Sequence, residues 1–292
     1  MKPDLHTHST ASDGVLSPAE LCRRAAEAGI TLMALTDHDT FDGVRSLGET
    51  PIPVLQGTEL SMADREGMHL LCYGLPEESP LHEKVRELSR QRLGRFDRML
   101  ELLEKAGMPL DRAALTADPS VSLGRPHIAR AMIGAGYVKN MQEAFQRYLG
   151  EGKPFYVPAE RMTLREALPL ARESGFVPVL AHPFEMGMSV HTLAMLIPGW
   201  KQQGLMGVEV YHPSARSKGY RQLELLAREN GLLVTGGSDF HMDHDKHGTL
   251  GEVPEEWTCR EEDVQALLSA MERAERDFRN QQNHQTEEQK GG

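Results

Sequence analysis

Asp4-Leu5-His6-Thr7-His8, read with Thr36-Asp37-His38-Asp39 further on, decides how this chain is built. Pro3 and Leu5 form a short apolar run, and a strand turns residues i and i+2 to the same side. His6 and His8 therefore leave one strand end together and can share a metal ion. Asp13 follows closely, and the apolar run Leu32-Met33-Ala34-Leu35 ends in Asp37-His38-Asp39. Imidazole mixed with carboxylate suits Zn, Mn or Fe better than Ca or Mg alone. Two apolar runs, each ending in ligand-type side chains with helical sequence between them, predict parallel βα order.

Working outward, residues 2–6 and 31–36 are predicted strands. The second is nearly all apolar, as a parallel strand covered on both faces should be. Ser17-Pro18-Ala19-Glu20 reads as a capping box with Pro at the first helical position, opening a helix that Gly29 stops. A short helix is expected near 43–49. Pro53-Val54-Leu55 leads into Gly57-Thr58-Glu59, and 68–73 is another strand. From 79 to 153 the rhythm changes to consecutive helices, near 80–106, 111–117, 126–135 and 140–149. The first repeats Leu81, Val85, Leu88, Leu93, Phe96, Met99, Leu100 and Leu103 at helical spacing. Alternation then resumes. Thr163-Leu164-Arg165-Glu166 is a second capping box, and strands at 177–181, 208–211 and 232–235 alternate with helices near 190–203 and 215–230. A last helix near 260–278 precedes a polar tail, 279–292, expected to be mobile. The expected domains are a discontinuous barrel, 1–78 and 154–278, and a helical insertion, 79–153.

Mean hydropathy of −0.45 and the lack of any long apolar run fit a soluble chain that does not enter the membrane. No basic and apolar leader is present, and Cys22, Cys72 and Cys259 are far apart, which predicts buried thiols and a cytoplasmic location. With 32 basic against 43 acidic residues the chain carries −11, which argues against a duplex DNA partner.

Ligand-type residues fall at five strand ends: His6 with His8, His38, Glu59, His182, and Asp239 with His241. In (β/α) barrels active sites form at the carboxyl ends of the strands. His69 fits this pattern poorly, since it stands near the start of its run. The motifs D-L-H-T-H at 4–8, T-D-H-D at 36–39, G-T-E at 57–59, A-H-P at 181–183 and G-S-D-F-H at 237–241 resemble the PHP (polymerase and histidinol phosphatase) family of metal-dependent phosphoesterases. The resemblance implies an α/β fold, a distorted (β/α)7 barrel with a helical insertion domain, and three divalent ions. Manganese is the expected ion, with zinc, iron or magnesium as alternatives. It implies one ion held by His6, His8, Glu59 and Asp239, a second by Glu59, His69 and His182, and a third by Asp13, His38 and His241. Such a site would activate a water for in-line attack on phosphorus. His212 is a candidate general acid, or else an orienting hydrogen-bond partner.

The insertion is expected to select the substrate. Arg92 and Arg95 share a helix face, and Gly94 between them hints at close approach of a ligand. Ser122, Arg125 and His127 surround Pro126 at a helix start, where free N–H groups can meet an anion. This G-R-P-H turn resembles one branch of the family, which hydrolyses nucleoside 3′,5′-bisphosphates, some relatives trimming short RNA from the 5′ end. The expected reaction converts adenosine 3′,5′-bisphosphate to AMP. A short-RNA exoribonuclease, a histidinol-phosphate phosphatase and a non-enzymatic metal-binding interaction module are the alternatives.

Overall fold

The computed structural model describes residues 1–74, 78–115, 123–215, 219–243, 250–251 and 259–291. Seven strands lie side by side in chain order: β1 (Pro3–Thr7), β2 (Leu32–Leu35), β3 (Val54–Ser61), β4 (His69–Tyr73), β5 (Val177–Leu180), β6 (Gly207–Tyr211) and β7 (Leu233–Gly236). The pairs β1–β2, β2–β3, β5–β6 and β6–β7 are parallel. The ring nearly closes where His8 N–H donates to the Phe240 carbonyl (3.0 Å) and Asp239 N–H donates to the His6 carbonyl (2.9 Å).

The distortion comes from β4, which runs antiparallel to both β3 and β5. The link from β3 to β4 is a short polar turn through Asp64, Arg65, Glu66 and Gly67, with Gly67 at φ +72°. A parallel crossover needs a dozen or more residues, so this link can only make a hairpin. Reversal puts the start of β4 beside the carboxyl ends of the other strands. Tyr73, at the other end of β4, is fully buried and its hydroxyl donates to the Leu5 carbonyl of β1 at 2.8 Å.

Helices follow in the order α1 (Pro18–Glu27), α2 (Asp42–Arg45), α3 (Pro80–Lys105), α4 (Arg112–Leu115), α5 (Arg125–Gly134), α6 (Met141–Ala144, continued by a wider turn over Phe145–Leu149), α7 (Leu164–Glu173), α8 (Val190–Gln203), α9 (Gly219–Glu229) and α10 (Glu261–Gly291). Ser17 caps α1 by accepting the Glu20 N–H, and Thr163 and Glu166 form the full reciprocal box on α7. The last helix does not stop at 278. The following residues contain neither Pro nor Gly before Gly291, and Glu275 pairs with Arg279 one turn on, so the backbone stays helical.

Two hydrophobic clusters form. One lies around the barrel strands, with Leu81 and Val85 from the start of α3. The other gathers Phe96, Met99 and Leu103 from the rest of α3 with Ile128, Met132, Leu149 and Phe155. Helix α3 is thus anchored in both. All three cysteines are buried free thiols, and among the described residues no helix is long and apolar enough to cross a membrane.

Candidate metal centre

At the carboxyl end of the barrel, β1 brings His6 and His8 together as strand alternation requires, their Nε2 atoms 3.1 Å apart. Glu59 of β3 sits among five imidazoles. Its Oε2 is 3.1 Å from His6 Nε2, 3.2 Å from His8 Nε2 and 3.1 Å from His38 Nδ1. Its Oε1 is 3.0 Å from His69 Nδ1 and 2.7 Å from His182 Nε2. Asp239 Oδ1 lies 3.0 Å from His8 Nε2 and 3.4 Å from His6 Nε2. Asp13 Oδ1 lies 3.2 Å from His241 Nε2, and its Oδ2 is 4.0 Å from His38 Nε2.

All nine residues expected as ligands therefore converge. Three groups have donor atoms close enough to share an ion: His6, His8, Glu59 and Asp239; His8, Asp13, His38 and His241; and His38, Glu59 and His69. His182 touches the last group through both Glu59 and His69, the latter at 3.3 Å. His69 joins because β4 is reversed. Backbone strain marks the same place. Of four non-glycine residues at positive φ among the described residues, Asp39, His182 and Asp239 lie here.

The donors fit divalent ions. Bonds of about 2.1 Å at right angles place neighbouring donors roughly 3 Å apart, which is the spacing seen around Glu59. Asp13 Oδ1, His38 Nδ1 and Glu59 Oε2 are buried and make no hydrogen bond. Buried polar atoms are rarely left so without an ion or water to meet them. Burial alone would discharge this cluster, but opposite charges overcome it. Glu209, Glu59 and Asp239 hold His6 well above the ordinary imidazole range, and Asp239 and Glu59 hold His8 up at about 10. The surrounding imidazoles hold Glu59 and Asp239 well below the usual carboxylate range. His38 goes the other way, pushed down to about 4 by burial. A divalent ion at this cluster would compete with protons for His6 and His8.

Two supporting residues escaped the sequence analysis as functional. Glu209, on β6 and fully buried, accepts from His6 Nδ1 at 3.0 Å and from the His182 N–H at 2.8 Å, so it aims ligands from two strands at once. Arg161, in the irregular stretch before α7, has no periodicity to signal it. His212 accepts the Ser214 N–H at Nδ1 (3.1 Å), which leaves Nε2 to donate to Asp239 Oδ2 at 3.3 Å.

Beside the cluster opens a cavity of about 500 Å³. Asp13, His38 and His69 line one part of its wall; Arg95, Arg125, His127 and Arg161 line another. Arg95 and Arg125 pack on the Tyr156 ring, 5.7 and 5.5 Å from its centroid. Burial lowers both guanidinium pKa values, that of Arg95 to about 10 with Arg125 adding to the effect. One buried nitrogen of Arg95, Nη2, makes no hydrogen bond. His127 Nδ1 accepts the Gly124 N–H, while Gly94 lines the cavity with open space where a Cβ would go. Arg92 also lines the wall, but its guanidinium engages Asp39 and the His38 carbonyl. Ser122 lies outside the described residues.

A family model described as the PHP domain matches residues 4–120. The chain is 36% identical over 249 residues to a 5′-3′ exoribonuclease of Haemophilus influenzae, covering 82% of this chain and 90% of the relative. It is 35% identical over 246 residues to a 3′,5′-nucleoside bisphosphate phosphatase of Chromobacterium violaceum, covering 82% and 86%. Among solved structures, an amidohydrolase from Chromobacterium violaceum determined with bound sulfate superposes with a TM-score of 0.75 at 30% identity, over 92% of this chain and 97% of that one. A chain from Bifidobacterium adolescentis, described as a candidate metal-dependent phosphoesterase, superposes with a TM-score of 0.77 at 28% identity, over 92% and 96%.

Proposed function

Because this chain belongs to the PHP family of metal-dependent phosphoesterases, we propose that it removes the 3′-phosphate of nucleoside 3′,5′-bisphosphates, taking adenosine 3′,5′-bisphosphate to AMP. The observation that carries this reading is one cavity walled by ligand-type side chains and by the guanidinium groups of Arg95, Arg125 and Arg161. A monophosphate needs one anion site; a bisphosphate needs two. Arg95, Arg125 and Arg161 make no ion pair within 4 Å among the described residues, so their charge is available to an anion.

We assign three divalent ions, manganese by preference, to the nine converging residues. Bound there, they supply Lewis acidity at the phosphoryl group and a nucleophile at neutral pH. The chain's own residues do the rest. Glu209 and His212 orient His6 and Asp239; His212 is assigned this positioning role by its bond to Asp239. Arg95, Arg125 and Arg161, with His127 beside them, hold the second phosphate and so place the first against the cluster.

The 5′-3′ exoribonuclease reading shares every part of this site. It is favoured by the relative of that name, in which the second phosphate would be the 5′ end of a short RNA. Phosphate release and chain shortening, measured with Mn on adenosine 3′,5′-bisphosphate, 3′-AMP, histidinol phosphate and a 5′-phosphorylated trinucleotide, separate the readings. The bisphosphate should be the preferred substrate. Faster turnover of histidinol phosphate would overturn the two-anion reading, and release from none would leave a metal-binding module.

A further inference from the structure

The loop that carries His38 is held from outside the barrel, by the helix that also carries Arg95. Asp39 stands at φ +50°, a conformation non-glycine residues adopt at a cost. Both of its carboxylate oxygens are taken. Oδ1 accepts the Ser61 N–H at 2.8 Å, while Oδ2 accepts the Ser61 hydroxyl at 3.0 Å and the Arg92 guanidinium. Its carbonyl accepts the Ser89 hydroxyl at 2.9 Å, and the His38 carbonyl accepts Arg92 Nη1 at 3.4 Å. Ser89 and Arg92 are three residues apart on α3, hence on one face. Inside the barrel, Asp39 N–H donates to the Glu59 carbonyl at 2.9 Å and Glu59 N–H to the Asp37 carbonyl at 3.2 Å. The loop is thus pinned on one side by β3 and on the other by α3.

We propose that Arg92, with Asp39, Ser61 and Ser89, is a positioning strut for His38 rather than a ligand for substrate. His38 belongs to two of the three candidate ion groups, and it stands on the loop beyond β2 rather than on a strand, so its place depends on what holds that loop. Arg92 turns its charge toward the loop, and the ion pair is only about one-fifth exposed. The inference rests on the reading of the cluster as a metal centre. It differs from the substrate assignment of Arg95, three residues further along α3, and of Arg125 on α5. It also implies that α3 joins the substrate side of the cavity to the metal side, since Arg95 follows Arg92 on the same helix.

The test is a manganese titration against a competing chelator, counting bound metal, on wild type, Arg92→Ala, Arg92→Lys and Ser61→Ala. Arg92→Ala should need about tenfold more free Mn to fill its last site, the low end for loss of an outer contact to a ligand. Its kcat should fall alike on bisphosphate and 3′-monophosphate at limiting Mn and recover at high Mn, with KM unchanged. Arg92→Lys, which can still reach Asp39, should fall between Arg92→Ala and wild type, and Ser61→Ala should shift the Mn midpoint in the same direction as Arg92→Ala. Melting of each variant without metal separates this from misfolding, and Ser61→Ala carries the test if Arg92→Ala does not fold. A wild-type Mn midpoint in Arg92→Ala and Ser61→Ala overturns the strut. If KM then rises for the bisphosphate alone, Arg92 is a substrate ligand. Wild type that takes up no Mn overturns the metal reading itself, a result distinct from the other two.

Discussion

Glu59 carries more of this site than any other side chain, because both of its oxygens are committed at once. One faces His6, His8 and His38, and the other faces His69 and His182. Glu59→Gln keeps the shape but removes the charge and turns one acceptor into a donor among imidazole nitrogens. Turnover should fall by more than about 100-fold, the upper range for changes to outer contacts, while circular dichroism stays that of the folded protein. Unchanged phosphate release by folded Glu59→Gln would reject the bridging role. Arg125 offers a different test, because its guanidinium lies over the Phe145 and Tyr156 rings with no carboxylate within ion-pair distance among the described residues. Losing one charge-assisted contact should cost about 1.5–3 kcal/mol, or roughly ten- to a hundredfold in kcat/KM. Arg125→Ala should show this on the bisphosphate and little of it on the 3′-monophosphate. Equal slowing of both would move Arg125 from substrate recognition to support of the fold.

Two glycines show how the elements are loaded. Gly237, between β7 and Asp239, lies against β1, where a Cβ would sit 2.4 Å from His6 N and 2.5 Å from His6 Cβ. Gly237→Ala must push β1 away from β7 at the seam that closes the barrel. It should cost about 1–3 kcal/mol and lower metal affinity together, read as a drop in melting temperature and a weaker Mn midpoint. A variant as stable as wild type would show that the seam is looser than its distances imply. Gly94 is the opposite case, with nothing within 4 Å of the added methyl. Gly94→Ala should stabilise α3 by about 0.5–1 kcal/mol. If the open space serves the ligand, KM for the bisphosphate should rise in the same variant; an unchanged KM would assign the glycine no part in binding.

For the whole molecule, the centre joins residues from β1, β2, β3, β4, β5 and β7, so ions bound there tie most of the barrel together. Chelation should therefore lower the melting temperature of the entire protein rather than loosen one loop. A ligand at 100 times its Kd contributes about 2.7 kcal/mol to the folded state. Restoring Mn should raise the midpoint by several degrees for a chain of this size. A melting curve indifferent to chelator and Mn would argue that the cluster binds no Mn.

How much of this could be read from the sequence depends on the range of the interaction involved. His6 with His8, the helix cap at Ser17, the capping box at Thr163, and the apolar strands β2 and β5 are local patterns, and period and capping chemistry are written in neighbouring residues. The family motifs extended that to the nine converging residues. The sequence read His69 as poorly placed, because its position at the start of a strand is wrong for a parallel barrel. Only the pairing of β4 against both neighbours reverses the strand and delivers His69 to the cluster. Glu209 and the strut through Arg92 were equally invisible, since each reaches residues far along the chain, and Arg161 meets the cavity wall from an irregular stretch. The sequence alone marked the histidines and carboxylates able to hold metal, and Arg95 and Arg125 as cations on the insertion. Strand direction and the docking of α3, which are long-range packing choices, decided which of them meet.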